Sequence, residues 1–211
     1  MALPPDWLTR IRRALADAPD HDPRRWQIAG EPLAAFPAAQ ALMPTTPRAA
    51  AVLVPIIDRP RAPALLLTMR AGHLRHHASQ ISFPGGRIET SDAHVVGAAL
   101  RETQEEIGIE GRFIEPLGFL PDQIVLTGFR ITPVVALLAP EFTLHVDDAE
   151  VAEVFELPLE FVSEPENFQP VRRVLRGIEM MLHDVNYEGR VIWGATAGML
   201  QSLHRALRRD P

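Results

Sequence analysis

The sequence predicts an α+β protein in which helices cover both faces of a mixed sheet, an α/β/α sandwich. Short apolar segments typical of strands are spread along the whole chain, whereas only one central and one C-terminal segment have long helical periodicity. Strands and helices do not alternate as they would in a regularly wound parallel sheet. We therefore expect one domain over residues 1–211, with residues 1–47 as a helical and irregular N-terminal extension.

The composition narrows the class of protein. Of 211 residues, 46% are hydrophobic, the net charge is −6, and cysteine is absent. One core can therefore form, broad nucleic-acid binding is disfavoured, and any metal must be bound by oxygen or imidazole. No apolar run approaches the ~20 residues of a membrane span, and residues 1–20 lack the apolar h-region that is typical of a signal peptide. We expect a cytoplasmic protein that binds neither nucleic acid nor membrane; a homodimer is left open.

The N-terminal half is expected to contain one helix and a strand pair. A helix over residues 4–18 has Asp6 as a candidate N-cap and an apolar stripe. The Pro-rich stretch up to residue 47 indicates irregular structure. Two apolar runs over residues 49–57 and 64–69 flank a proline-containing turn, so they are predicted to pair as a hairpin.

The central helix is predicted over residues 93–107, with Ser91 or Asp92 as its cap and Gly108 in the left-handed position after its end. Further strands, a hairpin and a closing amphipathic helix follow from turn residues and apolar periodicity. The strands are predicted over residues 113–120, 129–138 and 151–157. Residues 171–182 and 190–193 are predicted to pair as a hairpin across a turn at 184–189, and residues 195–208 to form the closing helix.

Three glutamates near the end of the central helix suggest a site for a divalent cation. Glu102, Glu105 and Glu106 are spaced i, i+3 and i+4, so they project from one helical face. Their repulsion destabilises a helix by roughly 0.2–0.5 kcal/mol per pair, and a divalent cation would offset it. The alternative is an ordinary solvated acidic face. The preceding Gly85 and Gly86 favour the first interpretation, because paired glycines let backbone approach a ligand closely.

This order of residues resembles the Nudix box, in which a glycine precedes a glutamate, an Arg-Glu pair, a Glu-Glu pair and a final glycine. The matching residues are Gly86, Arg101, Glu102, Glu105, Glu106, Gly108 and Ile109. Asp92 stands at the position of the first glutamate, and the loop from there to Arg101 is one residue longer than the usual pattern. Thr103 occupies a normally apolar position.

The longer spacing is similar to the coenzyme A diphosphatase branch of that superfamily. A second motif of this branch is matched by Leu66-Leu67-Thr68, Arg70-Ala71, Arg75 and Phe83-Pro84-Gly85-Gly86. Ser79 replaces the glycine of that motif, which would alter the loop if the position needs a positive φ. The segments starting at Gly128 and Ile192 also look like this branch, so the resemblance covers about residues 49–200.

The resemblance implies roles for particular residues. Glu102, Glu105 and Glu106 would bind Mg²⁺ or Mn²⁺ and, with Arg101, form the catalytic set. Arg101 would hold a glutamate by a bidentate pair rather than contact substrate. The general base is left open among Glu102 and two later acids that are otherwise ordinary surface residues, Glu150 and Glu153.

The candidate substrate-binding residues lie upstream of the helix. They are Arg70, Arg75, His77, Gly85 and Gly86. The arginines, with His76 and His77, would bind the extra phosphate of the substrate, although a solvated basic loop is the plain alternative. A histidine-bound zinc site is disfavoured because the spacing of a zinc motif is missing.

The implied activity is metal-dependent hydrolysis of the diphosphate of coenzyme A or its thioesters to 3′,5′-ADP and 4′-phosphopantetheine. Two alternatives stay open at the level of sequence. One is the same chemistry on another nucleoside diphosphate derivative, such as ADP-ribose or a dinucleotide, because specificity lies outside the shared motif. The other is a binding module without turnover, which the intact glutamate set disfavours.

Overall fold

The structure, a computed structural model, describes residues 3–16, 26–74 and 77–208. The helices within these ranges are α1 (Trp7–Ala16), α2 (Pro37–Ala41), α3 (Val95–Ile107), α4 (Leu159–Ser163) and α5 (Gly194–Arg208). The strands are β1 (Gln27–Ile28), β2 (Glu31–Pro32), β3 (Arg48–Ile57), β4 (Ala64–Arg70), β5 (Ile81–Ser82), β6 (Gly85–Arg87), β7 (Ile114–Phe119), β8 (Gln123–Val125), β9 (Phe129–Leu138), β10 (Val151–Pro158), β11 (Phe168–Leu175), β12 (Ile178–Tyr187) and β13 (Arg190–Ile192). The predicted substrate residue Arg75 and its neighbour His76 lie outside the described residues.

The centre of the molecule is the parallel pair of β3 and β9, which runs in register from Arg48 opposite Phe129 to Ile57 opposite Leu138. Both strands are apolar on both sides, as expected of strands buried on two faces. Val52 and Val54 of β3 face one core, whereas Ala51 and Leu53 face another. Helix α3 covers the second face, and α1 and α5 cover the first. The predicted α/β/α arrangement around a mixed sheet is therefore confirmed.

The large sheet has the order β10-β4-β3-β9-β8-β1-β2, with a separate sheet of β11-β12-β13. Strands β3 and β4 form the predicted hairpin, but they pair only beside the turn, through Ile56 with Leu65 and Ile57 with Ala64. Farther along, β6 pairs with β3 and β5 pairs with β4. The segment containing Gly85 and Gly86 therefore fills the gap between two diverging strands.

The central helix begins later than predicted, and its cap is a different residue. His94 is the N-cap, with its Nδ1 accepting a hydrogen bond from the Gly97 amide at 2.9 Å. Ser91 and Asp92 lie in the preceding turn, so the extra residue of the spacing is absorbed before the helix. The end is as predicted, because Gly108 adopts φ 73.

The predicted strand over residues 171–182 is wrong, because it is a hairpin of β11 and β12. Arg176 and Gly177 form its turn with φ of 49 and 80, a left-handed pair that suits a two-residue hairpin. Arginine is an unusual residue at such a position, so the sequence signal is weak. The turn predicted over residues 184–189 is shorter than expected, because β12 continues to Tyr187 and only Glu188 and Gly189 connect it to β13.

The described N-terminal residues pack on the same cores as the rest of the chain. Ile11 and Leu15 of α1 are buried in one core with Leu203 and Leu207 of α5, and Ile28 of β1 belongs to a smaller core beside the second sheet. Across the described residues, no helix combines the length and the apolarity needed to cross a membrane.

Candidate active site

The C-terminal half of α3 lies over the glycine turn. The Gly85 amide donates to Glu106 Oε2 at 3.1 Å. A Cβ on Gly86 would stand 2.5 Å from the Glu102 carboxylate, so this carboxylate lies directly over the turn. Gly85 has φ +151, and a Cβ there would stand 2.3 Å from the Ala51 carbonyl oxygen. The position therefore requires glycine, because a side chain would collide with β3 backbone.

Glu106 is the most deeply buried acid of the site, with 3% of its surface exposed. Burial raises the pKa of its carboxyl to about 7. The Gly85 amide and the Arg70 guanidinium favour the charged form and so lower this pKa, but burial has the larger effect. The negative charges of Glu102 and Glu150 add to the rise in pKa. Arg70 Nη1 lies 3.5 Å from Glu106 Oε1. The Arg70 guanidinium therefore contacts a glutamate of the site and is not free to contact only a substrate.

Arg101 links the acids around the turn. Its Nε and Nη2 donate to the two carboxylate oxygens of Asp92, each at 3.0 Å. Its Nη1 donates to Glu102 Oε1 at 3.0 Å and to Glu105 Oε2 at 2.9 Å, while Nη2 also donates to the Arg87 carbonyl at 3.1 Å. The bidentate pair of Arg101 is therefore with Asp92, not with a glutamate as predicted, and single bonds reach the glutamates.

The same contacts explain two departures from the box. The Arg101 guanidinium holds the pKa of the Asp92 carboxyl below its usual range, so an aspartate can anchor this arginine from the longer loop. Thr103 is fully buried at its apolar position, where its hydroxyl donates to the Ala99 carbonyl at 2.7 Å. A polar residue is tolerated there because its only donor is satisfied within the helix.

Glu102 and Glu106 are the acids best suited to a hard cation. Burial raises the pKa of Glu102, with Arg101 opposing the shift, and carboxylate oxygens are the ligands that Mg²⁺ and Mn²⁺ prefer. A cation would offset the cost of burying two neighbouring negative charges. Glu105 differs, because its side chain is 59% exposed, whereas that of Glu102 is 17% exposed. Within the described ranges, no three acid or histidine side chains converge closely enough to hold a metal, so the three-glutamate ligand set stays a prediction.

The two later acids occupy different environments. Glu150 is exposed, and its charge raises the pKa values of Glu102 and Glu106. Its backbone carbonyl accepts from the Ala71 amide at 2.8 Å, which ties the segment to the end of β4. Glu153 instead accepts from Arg190 Nε at 3.2 Å. Of these two candidates for the general base, Glu150 is therefore the one whose charge acts on the glutamates.

A cavity of about 560 Å³ opens from the glycine turn toward the second sheet. Four of the predicted substrate residues line it, namely Arg70, His77, Gly85 and Gly86. His77 is exposed and its Nδ1 lies 2.7 Å from Gln80 Oε1. The cavity wall also contains residues that sequence reasoning did not single out as binding residues, Arg87, Phe129 and Trp193. Two features of the sequence could have indicated these residues. Arg87 directly follows the two glycines, and the two aromatic residues belong to the downstream segments that resemble the coenzyme A branch.

The loop between β4 and β5 contains two residues with left-handed backbone. His77 and Ser79 both have φ 58, a region that favours glycine. The position at which Ser79 replaces the glycine of the motif therefore does need a positive φ. Serine adopts it at a cost in backbone strain.

The chain is similar in sequence to known proteins. The family model of the NUDIX domain matches residues 47–176. A protein of Citrobacter koseri named uncharacterized Nudix hydrolase NudL is 43% identical over 156 residues, which cover 74% of this chain and 81% of the relative. The protein of the same name from Cronobacter sakazakii is 41% identical over 164 residues, 78% of this chain and 85% of the relative.

Solved structures give weaker matches. A MutT/nudix family protein from Enterococcus faecalis has a TM-score of 0.49 at 18% identity, covering 81% of this chain and 67% of that one. An Ap4A hydrolase from C. elegans has a TM-score of 0.46 at 20% identity, covering 53% and 80%. The family model covers more than half of the chain, and the two relatives share over 40% identity across most of their length. The chain belongs to the Nudix hydrolase family.

Proposed function

We propose that this Nudix hydrolase cleaves the diphosphate of coenzyme A or its thioesters, giving 3′,5′-ADP and 4′-phosphopantetheine or its acyl form. The observation that carries the proposal is the meeting of two motifs at one carboxylate. Glu106 of the box contacts both Arg70 and Gly85 of the upstream motif, at 3.5 and 3.1 Å. The motif that resembles the coenzyme A branch is therefore part of the same site as the glutamates.

In the proposed reaction, Glu102 and Glu106 would hold Mg²⁺ or Mn²⁺, with Glu105 as a further predicted ligand. When bound, such a cation neutralises diphosphate charge and lowers the pKa of an attacking water. Arg101 is a positioning residue, because its bonds to Glu102 and Glu105 fix both carboxylates while Asp92 fixes the guanidinium.

The remaining residues of the site bind substrate and accept a proton. Because Gly85 and Gly86 have no side chains, their backbone leaves room for the diphosphate. Arg70 lines the same cavity and can add positive charge beside it. Glu102 or Glu150 would take the proton from the attacking water, since the Glu102 carboxylate lies over the turn, and Glu150 is exposed and acts electrostatically on Glu102.

The proposal is tested by incubating the protein with coenzyme A and either Mg²⁺ or Mn²⁺ and identifying the products by mass spectrometry. We expect 3′,5′-ADP and 4′-phosphopantetheine. The values of kcat/KM should exceed those for ADP-ribose and for a dinucleotide polyphosphate under the same conditions. A higher kcat/KM for ADP-ribose or for the dinucleotide would show that the enzyme prefers that substrate to coenzyme A.

Variants separate hydrolysis from simple binding. Glu106→Gln should lose turnover while remaining folded, because a neutral amide replaces a buried cation ligand. Glu110→Gln is the matched control, since Glu110 is an exposed acid just beyond the same helix and pairs with Arg112. Binding of coenzyme A without turnover under either metal would instead indicate a non-catalytic module.

A further inference from the structure

Two arginines from different strands converge on one aromatic ring at the mouth of the cavity. The guanidinium carbon of Arg48 lies 4.0 Å from the centroid of the Phe129 ring, and that of Arg87 lies 5.5 Å from it. Arg48 is the register partner of Phe129, and Arg87 is the partner of Ala50, two residues farther along β3. Register partners share a face of a sheet, so the three side chains stand on the face that holds the cavity.

These two arginines differ from the two arginines that contact the acids of the site. Arg70 is paired with Glu106, and Arg101 with Asp92. No carboxylate of the described residues pairs with Arg48 or Arg87, and Arg48 Nη2 donates to the Thr127 carbonyl at 3.3 Å. Contact with a ring contributes only about 0.5–1 kcal/mol at an exposed position. Two like charges held at one ring repel each other, and an anion bound between them would remove that repulsion.

The position of Arg87 and Phe129 in the cavity wall limits what this anion can be; Arg48 contacts the Phe129 ring but does not itself line the cavity. Arg87 follows Gly86 directly, and Arg87, Gly86 and Phe129 all line the cavity. Elsewhere the wall includes buried aliphatic side chains, Ile124 and Leu182 among them. A phosphate inside such a wall would lose its hydration without a partner. A second phosphate on a ligand that lies across the glycine turn is therefore best accommodated at the rim.

We propose that Arg48 and Arg87, supported by Phe129, form a subsite for a phosphomonoester carried by the substrate. The assignment rests on the proposed function, under which this group is the 3′-phosphate of coenzyme A. The 3′-phosphate and the diphosphate are carried by the same ribose, so a diphosphate at Gly86 brings the 3′-phosphate within reach of the next side chain. Planar guanidinium groups suit phosphate through paired N–H donors. Arg70, which the sequence suggested for this phosphate, faces Glu106 instead.

The test compares two substrates that differ only in this phosphate, coenzyme A and dephospho-coenzyme A. The values of kcat/KM for both are measured in the wild type, Arg48→Gln, Arg87→Gln and the double variant. The control is Arg112→Gln, because Arg112 also stacks on a ring, Phe113 at 4.9 Å, but that ring does not line the cavity, whereas Phe129 does. All three arginines are exposed, so the variants should fold.

The ratio of kcat/KM for coenzyme A to that for dephospho-coenzyme A should fall by about 10-fold or more in the double variant, the loss expected for charge-assisted hydrogen bonds. The fall should come mainly from a higher KM for coenzyme A. Arg112→Gln should keep the wild-type ratio. A wild-type ratio in the double variant would overturn the subsite, whatever happens to overall activity.

Binding without turnover provides a second readout. Adenosine 3′,5′-bisphosphate should bind the wild type about 10-fold or more tightly than 5′-AMP in calorimetry, again through charge-assisted bonds, and the double variant should lose this preference. If neither coenzyme A nor dephospho-coenzyme A is hydrolysed, the proposed function fails while calorimetry still decides the subsite. Equal affinity of the wild type for the two nucleotides, or a preference that survives in the double variant, would refute it.

Discussion

Replacing Glu106 with glutamine is expected to stabilise the metal-free protein while removing its activity. Burial raises the pKa of this carboxyl from 4.5 to about 7. At 1.36 kcal/mol per pKa unit, keeping it ionised at pH 8 costs the folded state about 3 kcal/mol. Glutamine has the same size, and its Oε1 can still accept from the Gly85 amide. The variant loses the weak contact with Arg70, so we expect a net gain of about 2 kcal/mol in the free energy of unfolding.

The dependence on pH follows from the direction of the shift. In the unfolded chain Glu106 ionises near pH 4.5, whereas in the folded protein it stays protonated up to about pH 7. The wild type therefore loses stability relative to the glutamine variant as pH rises between these values, and the difference is constant above them. Below about pH 4.5 both side chains are neutral, so the two proteins should differ little.

The assay is urea denaturation in the presence of a chelator at about pH 5.5 and pH 8, where the linked difference should grow by about 2 kcal/mol. The control is Glu105→Gln on the same helix, whose side chain is 59% exposed. It should change stability by no more than about 0.5 kcal/mol at either pH, as expected for an exposed ion pair. A Glu106→Gln variant less stable than wild type at pH 8, or a difference independent of pH, would refute the reasoning. Arg70 and the Gly85 amide would then outweigh burial.

Three further predictions concern positions around the site. Asp92→Asn should lower kcat/KM by about 10- to 100-fold with the fold retained, because Arg101 loses its bidentate anchor; unchanged kinetics would show that this pair does not position the glutamates. Gly85→Ala should lower the free energy of unfolding by at least about 1–3 kcal/mol through collision with β3, and more than Gly177→Ala, whose Cβ would meet nothing within 4 Å; equal losses in thermal denaturation would contradict the crowding. Ser79→Val should be less stable than Ser79→Gly by at least about 1 kcal/mol, since φ is 58 there; equal melting temperatures would argue against a left-handed backbone.

Elements with strong periodicity were predictable from the sequence. The apolar runs of β3 and β9 and the amphipathic α5 lie within a residue or two of their expected bounds. Burial of one face or of both imposes such patterns regardless of the partner. The start of α3 was not predictable in this way, because His94 caps it while Ser91 and Asp92, the better-known capping residues, are engaged in the preceding turn. The hairpin turn at Arg176 was missed for a similar reason, since arginine rarely takes a left-handed backbone.

The sequence by itself determined the family and the candidate residues of the site, because the glutamates, the arginine and the glycines are close together along the chain. Local spacing is sufficient to place such residues on one helix and one turn. It left open which partner each charged group takes.

The partners of the charged groups in the site depend on the tertiary structure. Asp92 rather than a glutamate anchors Arg101, and Arg70 contacts Glu106 across 36 positions of sequence. Arg48 and Phe129 meet because β3 and β9 are paired in parallel in one register. A shift of one residue in that register would move one of the two side chains to the opposite face of the sheet. Such contacts depend on how distant strands align, which no local pattern of residues specifies.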